Sequence, residues 1–438
     1  MVRAPMKHSL LAPLVLALSV PVVACGSVAD PGTPAPTPTT QDPAPVDPTP
    51  TTPPVATVDH GTVSTTYPAF KPYMGQLANN GGSILAQPTI VSVTWSADPS
   101  AARFEEFGDS IGPSKYWSAV TAEYGVGAAT SGATNHVRID GTPPASMSDT
   151  ELEAFVRDHV ADAASGWPTQ VTDPVYIVYL PRATKLILQG SEACSQGVGG
   201  YHQDVAVSGK PVAYAIVPQC QNFDETTLSA SHELAEAATD PYPRTRPAYS
   251  GFTNDFLAWE FFQQFQSENG DACEFYRDSF VGPGKTDLAF AVQRQWSNDR
   301  ARLGHDPCVP APATAYFNTT PLDMESVTVD LSAFGSGRVK TKGYTIAVGE
   351  TKQIPIGFYS DAAADAWTIQ AVEGGIQGTS QPGKVTLSLD ATKGQNGQKA
   401  YLTVKVNGQG RTKSELVTIV SKGAAGGSHY MPILINSP

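Results

Sequence analysis

Ser231-His232-Glu233-Leu234-Ala235-Glu236-Ala237-Ala238-Thr239-Asp240-Pro241 reads as the end of a helix that begins near Asp224 and stops before Pro241. On such a helix His232 and Glu236 stand at i and i+4, so both project from one face and can grip one metal ion. Glu233, one step round, is placed to act on a water at that ion as a general base. This is the H-E-x-x-H arrangement of zinc hydrolases with its second histidine replaced by glutamate. With eight histidines in the chain, an H-E-x-x-E by chance is expected only ~0.02 times, so the segment merits a chemical reading. The plainer reading is a capped helix with solvated acids.

One histidine and one glutamate cannot hold zinc; a third protein ligand is required, with water in the fourth place. Asp240 would lie near the same face if the helix ran on. Pro241 disfavours helical backbone at Asp240, so a turn is expected there, and a turn can also bring that carboxylate back over the ion. His202 is the next candidate, with a hydrogen-bonded structural histidine as its alternative. Glu268 and Asp271 are further options. Zinc is the first choice of ion, and a carboxylate-rich set also suits calcium or manganese.

Outward from this helix, residues 85–310 alternate strand and helix patterns. Thr89-Ile90-Val91-Ser92-Val93-Thr94-Trp95 and Val175-Tyr176-Ile177-Val178-Tyr179-Leu180 read as strands, and 212–217 as a third. Helical patterns occupy 100–111, 114–124 and 148–164. The interleaving predicts an α/β or α+β domain over 57–312. Beyond about 315 the texture changes. Short β-branched runs at 344–348, 353–356, 367–369, 385–387, 401–404 and 416–419, separated by Gly, Asp and Asn turns, predict an all-β sandwich over 313–438. No carboxylate pair or histidine cluster marks that module, so it reads as a spacer or adhesion unit.

The residues 232–241 resemble the H-E-[LI]-A-E-x-[AV]-[TS]-[DN]-P segment of the exordium / phosphate-induced protein family and its bacterial relatives. Similar flanking features occur in the same order: Gly200-Tyr201-His202 after Cys194, Tyr214-Ala215-Ile216-Val217 before Cys220, Ala258-Trp259, and Glu268-Asn269-Gly270-Asp271-Ala272-Cys273. The resemblance covers about 85–305. It implies a zincin-like fold with the metal on the H-E-x-x-E helix. Two positions depart from the pattern, Glu260 after Trp259 and Asn269-Gly270 before Asp271, and neither is among the helix ligands.

Cys194, Cys220, Cys273 and Cys308 flank the same region, and four cysteines allow three connectivities. The sequential pairing, Cys194–Cys220 and Cys273–Cys308, is the favoured one. A Cys₄ zinc site is disfavoured because no C-x-x-C pair occurs. Serine-triad chemistry has no anchor either, for there is no G-x-S-x-G.

The fifth cysteine belongs to the leader. Arg3, Lys7 and His8 precede an apolar run over 10–23, which gives residues 1–24 the layout of an export signal. Val22-Val23-Ala24-Cys25-Gly26 resembles the lipobox of bacterial lipoproteins, which implies acylation of Cys25 and insertion of its chains into a lipid bilayer. Cleavage after Ala24 to give a soluble secreted protein is the alternative. Residues 30–56 carry ten prolines and seven threonines in 27 positions, so 25–56 reads as a lipidated cysteine followed by an extended stalk.

Composition is consistent with this layout. The 438 residues are 41% hydrophobic and 16% charged, enough for two or three folded domains at about 150 residues each. A net charge of −13 with no basic stretch excludes a nucleic-acid partner. The expectation is therefore an exported, membrane-anchored lipoprotein with a zinc-dependent, peptidase-like hydrolase domain, acting on extracellular peptide. The alternative is a non-catalytic surface protein that binds glycan or matrix, with a structural metal or none. Glu233 separates the two, since only catalysis needs it.

Overall fold

The computed structural model describes residues 58–264, 267–375, 383–410, 412–424 and 426–438. The expected signal peptide, Cys25 and stalk lie outside the described residues. No helix among the described residues is long and apolar enough to cross a membrane.

The β-branched run at the start of the body forms β1 (Thr89–Trp95), in which every residue is buried. That pattern belongs to a strand covered on both faces. Helices α1 (Ala101–Ile111) and α2 (Lys115–Thr121) follow, then β2 (His136–Ile139), α3 (Asp149–Ala161) and β3 (Pro174–Leu180). Helix α3 starts at a capping box between Ser148 and Glu151, as its acidic first turn suggests. A hairpin of β4 (Tyr201–Val207) and β5 (Lys210–Pro218) leads into α4 (Phe223–Thr239).

The five strands make one sheet in the order β2-β1-β3-β5-β4. The first four are parallel, and β4 runs antiparallel along the edge. Ile90, Ile177, Tyr179, Ala215 and Val217 point to the layer of α1, α2 and α4. Val91, Val93, Val178 and Ile216 point to α3 through Leu152 and Val156. The mixed α/β expectation holds, with helices on both faces. In this register His202 pairs with Ala215, so its side chain faces the α4 layer.

The C-terminal part is a sandwich of two sheets, built from β6 (Phe317–Pro321), β7 (Glu325–Asp330), β8 (Arg338–Thr345), β9 (Thr351–Ser360), β10 (Trp367–Glu373), β11 (Val385–Leu389), β12 (Lys393–Gly394), β13 (Lys399–Val406), β14 (Ser414–Lys422) and β15 (Ser428–Asn436). One sheet has the order β6-β9-β13-β11 and the other β7-β8-β15-β14-β10-β12. Ile354, Phe358 and Leu402 of the first meet Trp367, Ile419 and Ile433 of the second in one core. Each of the six expected strand runs contributes to a strand, although 346–348 lies past the end of β8 in a turn.

That core does not stop at residue 313. It continues into Trp259 and Phe262 of α5 (Leu257–Phe262) and Cys273 of α6 (Asp271–Glu274). Tyr430 of β15 packs on Phe262 and Tyr276, with ring centroids 5.4 and 5.6 Å apart. The N-terminal strap also crosses over. Lys399 donates its backbone N–H to the His60 carbonyl, and Asn396 Nδ2 donates to the carbonyls of Ser64 and Thr66. Residues His60–Pro438 accordingly form one unit, in which the sandwich backs the α5–α6 segment.

Candidate metal centre

Asn222 caps α4 by accepting from the Glu225 N–H, and Asp224 and Glu225 complement the helix dipole in the first turn. Ala230, Ala235, Ala237 and Ala238 are fully buried, and such small side chains let the helix lie close to its neighbours. The helix thereby carries His232, Glu233 and Glu236 into the interior, where all three are buried. Buried ionisable groups persist only with partners. Here the partners come from two other segments.

Edge strand β4 supplies His202. Its Nδ1 lies 3.4 Å from Glu236 Oε2 and 3.6 Å from Glu233 Oε2, and its Nε2 lies 3.3 Å from Glu268 Oε2. Glu268 comes from the segment leading into α6 and Asp271 is the first residue of that helix, with Asp271 Oδ1 3.6 Å from His232 Nε2. The intrahelical pair is the tightest, His232 Nε2 to Glu236 Oε1 at 3.1 Å. The backbone N–H groups of Gly270 and Asp271 also donate to Glu236 Oε1, each at 3.1 Å. Only glycine allows that approach at 270, since a Cβ would sit 2.8 Å from Glu236 Oε1 and 2.9 Å from the His232 ring. Gly200 does the same for Glu233, with 2.8 Å between its would-be Cβ and Oε1.

The residues read from sequence fall into two groups that share Glu236, with Asp271 beside His232 and Asp240 apart. His202, Glu236 and Glu268 offer ligand atoms within 4.8 Å of one another, as do His232, Glu233 and Glu236. Asp240 belongs to neither group. Helix α4 ends before Pro241, and Asp240 adopts φ −139° and ψ 65°. That turn sends its carboxylate Oδ1 to the Ala248 N–H at 2.6 Å and its backbone carbonyl to His202 Nε2 at 3.2 Å. Asp240 holds the His202 ring through its backbone carbonyl instead of joining the cluster. Sequence reasoning missed Gln293, whose Oε1 lies 3.0 Å from His232 Nδ1, and Glu274 of α6, which feels the charges of His232 and Asp271.

The cluster is electrostatically demanding. Burial opposes charge on His202, but Glu268, Glu233 and Glu236 outweigh it and hold the imidazole well above the usual histidine range. His232 behaves alike, with burial overcome by Glu236 and Asp271. Glu236 is lowered because His232 and His202 outweigh its own burial. Burial raises Glu233 and raises Glu268 well above the carboxylate range. Four acidic side chains, Glu233, Glu236, Glu268 and Asp271, face two imidazoles here. A divalent cation is the simplest counter-charge.

The donor set fits such an ion. Imidazole nitrogens with carboxylate oxygens are zinc ligands, and bonds of about 2.0–2.1 Å in a tetrahedron put ligand atoms roughly 3.3 Å apart. His232 Nε2 and Glu236 Oε1, 3.1 Å apart, and His202 Nδ1 and Glu236 Oε2, 3.4 Å apart, lie near that value. Glu268 Oε2 is also buried without a hydrogen-bond partner, an orphan that an ion would satisfy.

No protein-family model matches the chain, and no curated protein matches it. Among solved structures the chain is similar to a conjugative transposon lipoprotein from Bacteroides eggerthii, at 14% identity and TM-score 0.17 over 28% of this chain and 97% of that one. A lipoprotein from Bacteroides thetaiotaomicron gives 16% identity and TM-score 0.18 over 30% and 86%. OgpA from Akkermansia muciniphila gives 9% identity and TM-score 0.19 over 85% and 98%. Likenesses this faint carry no functional argument.

Two disulfides brace the centre in the sequential pairing: Cys194–Cys220, with Cα atoms 5.2 Å apart, and Cys273–Cys308, at 5.8 Å. The first ties the turn before β4 to the end of β5, just ahead of α4. The second holds α6, and so Asp271, against the strand pair 295–296 and 308–309. Replacing Cys273 and Cys308 together with alanine is expected to destabilise the chain by about 3–4 kcal/mol on the chain-entropy model. A urea melt that coincides with wild type contradicts this.

Asp240 gives a pH-dependent prediction. Burial raises its pKa from 3.8 to about 6, so near pH 7 the folded protein holds a carboxylate that would ionise more readily unfolded. The cost is absent below about pH 4, grows through pH 6 and is constant above it. Asp240→Asn keeps the acceptor for Ala248 and removes the charge. It is expected to stabilise at pH 7 by at most about 3 kcal/mol, at 1.36 kcal/mol per decade, and by little at pH 4. Equal effects at both pH values contradict the assignment.

Proposed function

We propose that this protein is an exported surface lipoprotein, anchored in a membrane through Cys25, whose H-E-x-x-E helix carries a divalent ion, zinc first, in a peptide-hydrolysing domain. The observation that carries the reading is the convergence of His202 and Glu268, from two other segments, on the Glu236 carboxylate that already pairs with His232. A helix with solvated acids does not need those partners. The resemblance of 232–241 to the exordium-like segment, and its expected zincin-like fold, agree with an antiparallel edge strand that runs beside the metal helix.

Two three-residue groups share Glu236, which His232 and Glu233 complete on one side and His202 and Glu268 on the other, so an ion held by either would have Glu236 as a ligand. The bound ion supplies Lewis acidity, the chemistry that hydrolysis of an unactivated amide needs. The chain itself does the rest. Burial makes Glu233 a stronger base than an exposed carboxylate, so its Oε atoms can take a proton from the attacking water and return it to the leaving amine. Asp271 and Glu268 are the more exposed members of the cluster.

The non-catalytic alternative has one observation on its side: Glu236 Oε1 already receives two backbone N–H groups, as in a self-satisfied structural cluster. A panel of unstructured peptides incubated with the purified chain separates the readings. Cleavage that a chelator stops and zinc restores is expected. Metal retained without cleavage of any peptide favours the structural reading.

A further inference from the structure

We infer that Gln293 is a positioning residue that sets the His232 imidazole for metal binding and locks together the two segments that carry the ligands; this rests on the metal reading above. Gln293 is 2% exposed, and every one of its hydrogen-bonding groups is engaged. Its backbone N–H donates to Ser231 Oγ at 2.9 Å, and its carbonyl accepts from the Tyr116 hydroxyl at 2.6 Å. Its side-chain Nε2 donates to the Gly270 carbonyl at 2.8 Å, and Oε1 faces His232 Nδ1 at 3.0 Å.

The orientation of this amide follows from chemistry. A backbone carbonyl only accepts, so the group facing Gly270 must be the NH₂. Oε1 then faces His232, and because an amide oxygen also only accepts, His232 Nδ1 must bear the proton. That leaves Nε2 as the nitrogen that faces the cluster, 3.1 Å from Glu236 Oε1, and the one that would give up its proton to an incoming ion. An imidazole that ligates through Nε2 while donating Nδ1–H to an outer partner is the arrangement that fixes ring orientation and raises ligand basicity.

The same side chain spans two segments. One end holds α4 through His232, and the other holds Gly270, whose N–H reaches Glu236 and whose neighbour is Asp271. Loss of Gln293 therefore loosens both the ring and the loop that closes over Glu236.

Zinc affinity of the full chain, measured by chelator competition, tests the inference. Gln293→Met fills similar space without either hydrogen bond and is expected to weaken zinc binding by ~10–100-fold while the near-ultraviolet spectrum stays native. Gln293→Glu keeps an acceptor for Nδ1 but loses the donor to the Gly270 carbonyl, so it should recover part of that loss. Native affinity in the methionine variant, or equal losses in both variants, overturns the inference. A second measurement needs no variant: nitrogen-15 NMR of the wild-type chain should find a slowly exchanging proton on His232 Nδ1. Its absence also overturns the inference. If the wild-type chain binds no zinc, the metal reading fails on its own, and the Nδ1 proton still reports on Gln293.

Discussion

Replacing His232 with alanine is expected to strip the metal from the purified protein. His232 supplies the nitrogen ligand of the helix, and its Nε2 makes the shortest contact to the shared Glu236 carboxylate, at 3.1 Å. The substitution also removes a cation from an interior that holds four carboxylates, and breaking a buried pair this way costs about 3–5 kcal/mol. In the metal-free protein that cost has a definite pH sense. The folded-state pKa of His232 lies well above 6.5, so its pairing contributes fully below about pH 6.5 and fades as pH rises through the higher folded value. The melting difference between metal-free wild type and His232→Ala should shrink toward high pH. A variant that retains its metal and melts with wild type at all pH values contradicts the role given to His232.

Glu233→Gln is expected to behave in the opposite way. The amide keeps the shape and cannot take a proton, so metal content should stay close to wild type while hydrolysis falls by about 10²–10⁴-fold. A ligand acts on affinity, whereas a base acts on rate alone. Gly200 leaves room for Glu233, since a Cβ there would sit 2.8 Å from Oε1, and the nearly isosteric amide fits the same space. Loss of metal with the activity would make Glu233 a ligand, as its membership of a ligand group with His232 and Glu236 allows. Unchanged turnover would remove it from the chemistry.

Much of the architecture is legible in the sequence because burial there follows simple periods. β1 is a β-branched run and β3 an apolar one, and the ends of α4 follow from Asp224 and Pro241. Strand β4 was not legible as a strand through His202, because His202 and Asp204 put polar groups on its inner face and break the alternation. β6 hides for the same reason, since Asn318, Thr319 and Thr320 are all fully buried. At the centre, His232, Glu236 and His202 are readable from type and spacing. Asp240 is not, because the turn at Pro241 redirects its carboxylate to Ala248. Gln293 stands 61 positions from His232 and carries no motif, so only the folded pairing of Val292–Gln293 with Phe280–Val281 brings it to the ring. The continuity of the sandwich core with α5 and α6 is equally invisible in one dimension, as it depends on Tyr430 reaching Phe262 and Tyr276.

The metal content of the full chain, purified without added metal and dialysed against a weak chelator, tests the central claim most directly. About one zinc ion per chain is expected, as four-coordinate sites of this donor type retain, with none in His232→Ala. A wild-type chain that is folded, metal-free and unable to take up added zinc would contradict it.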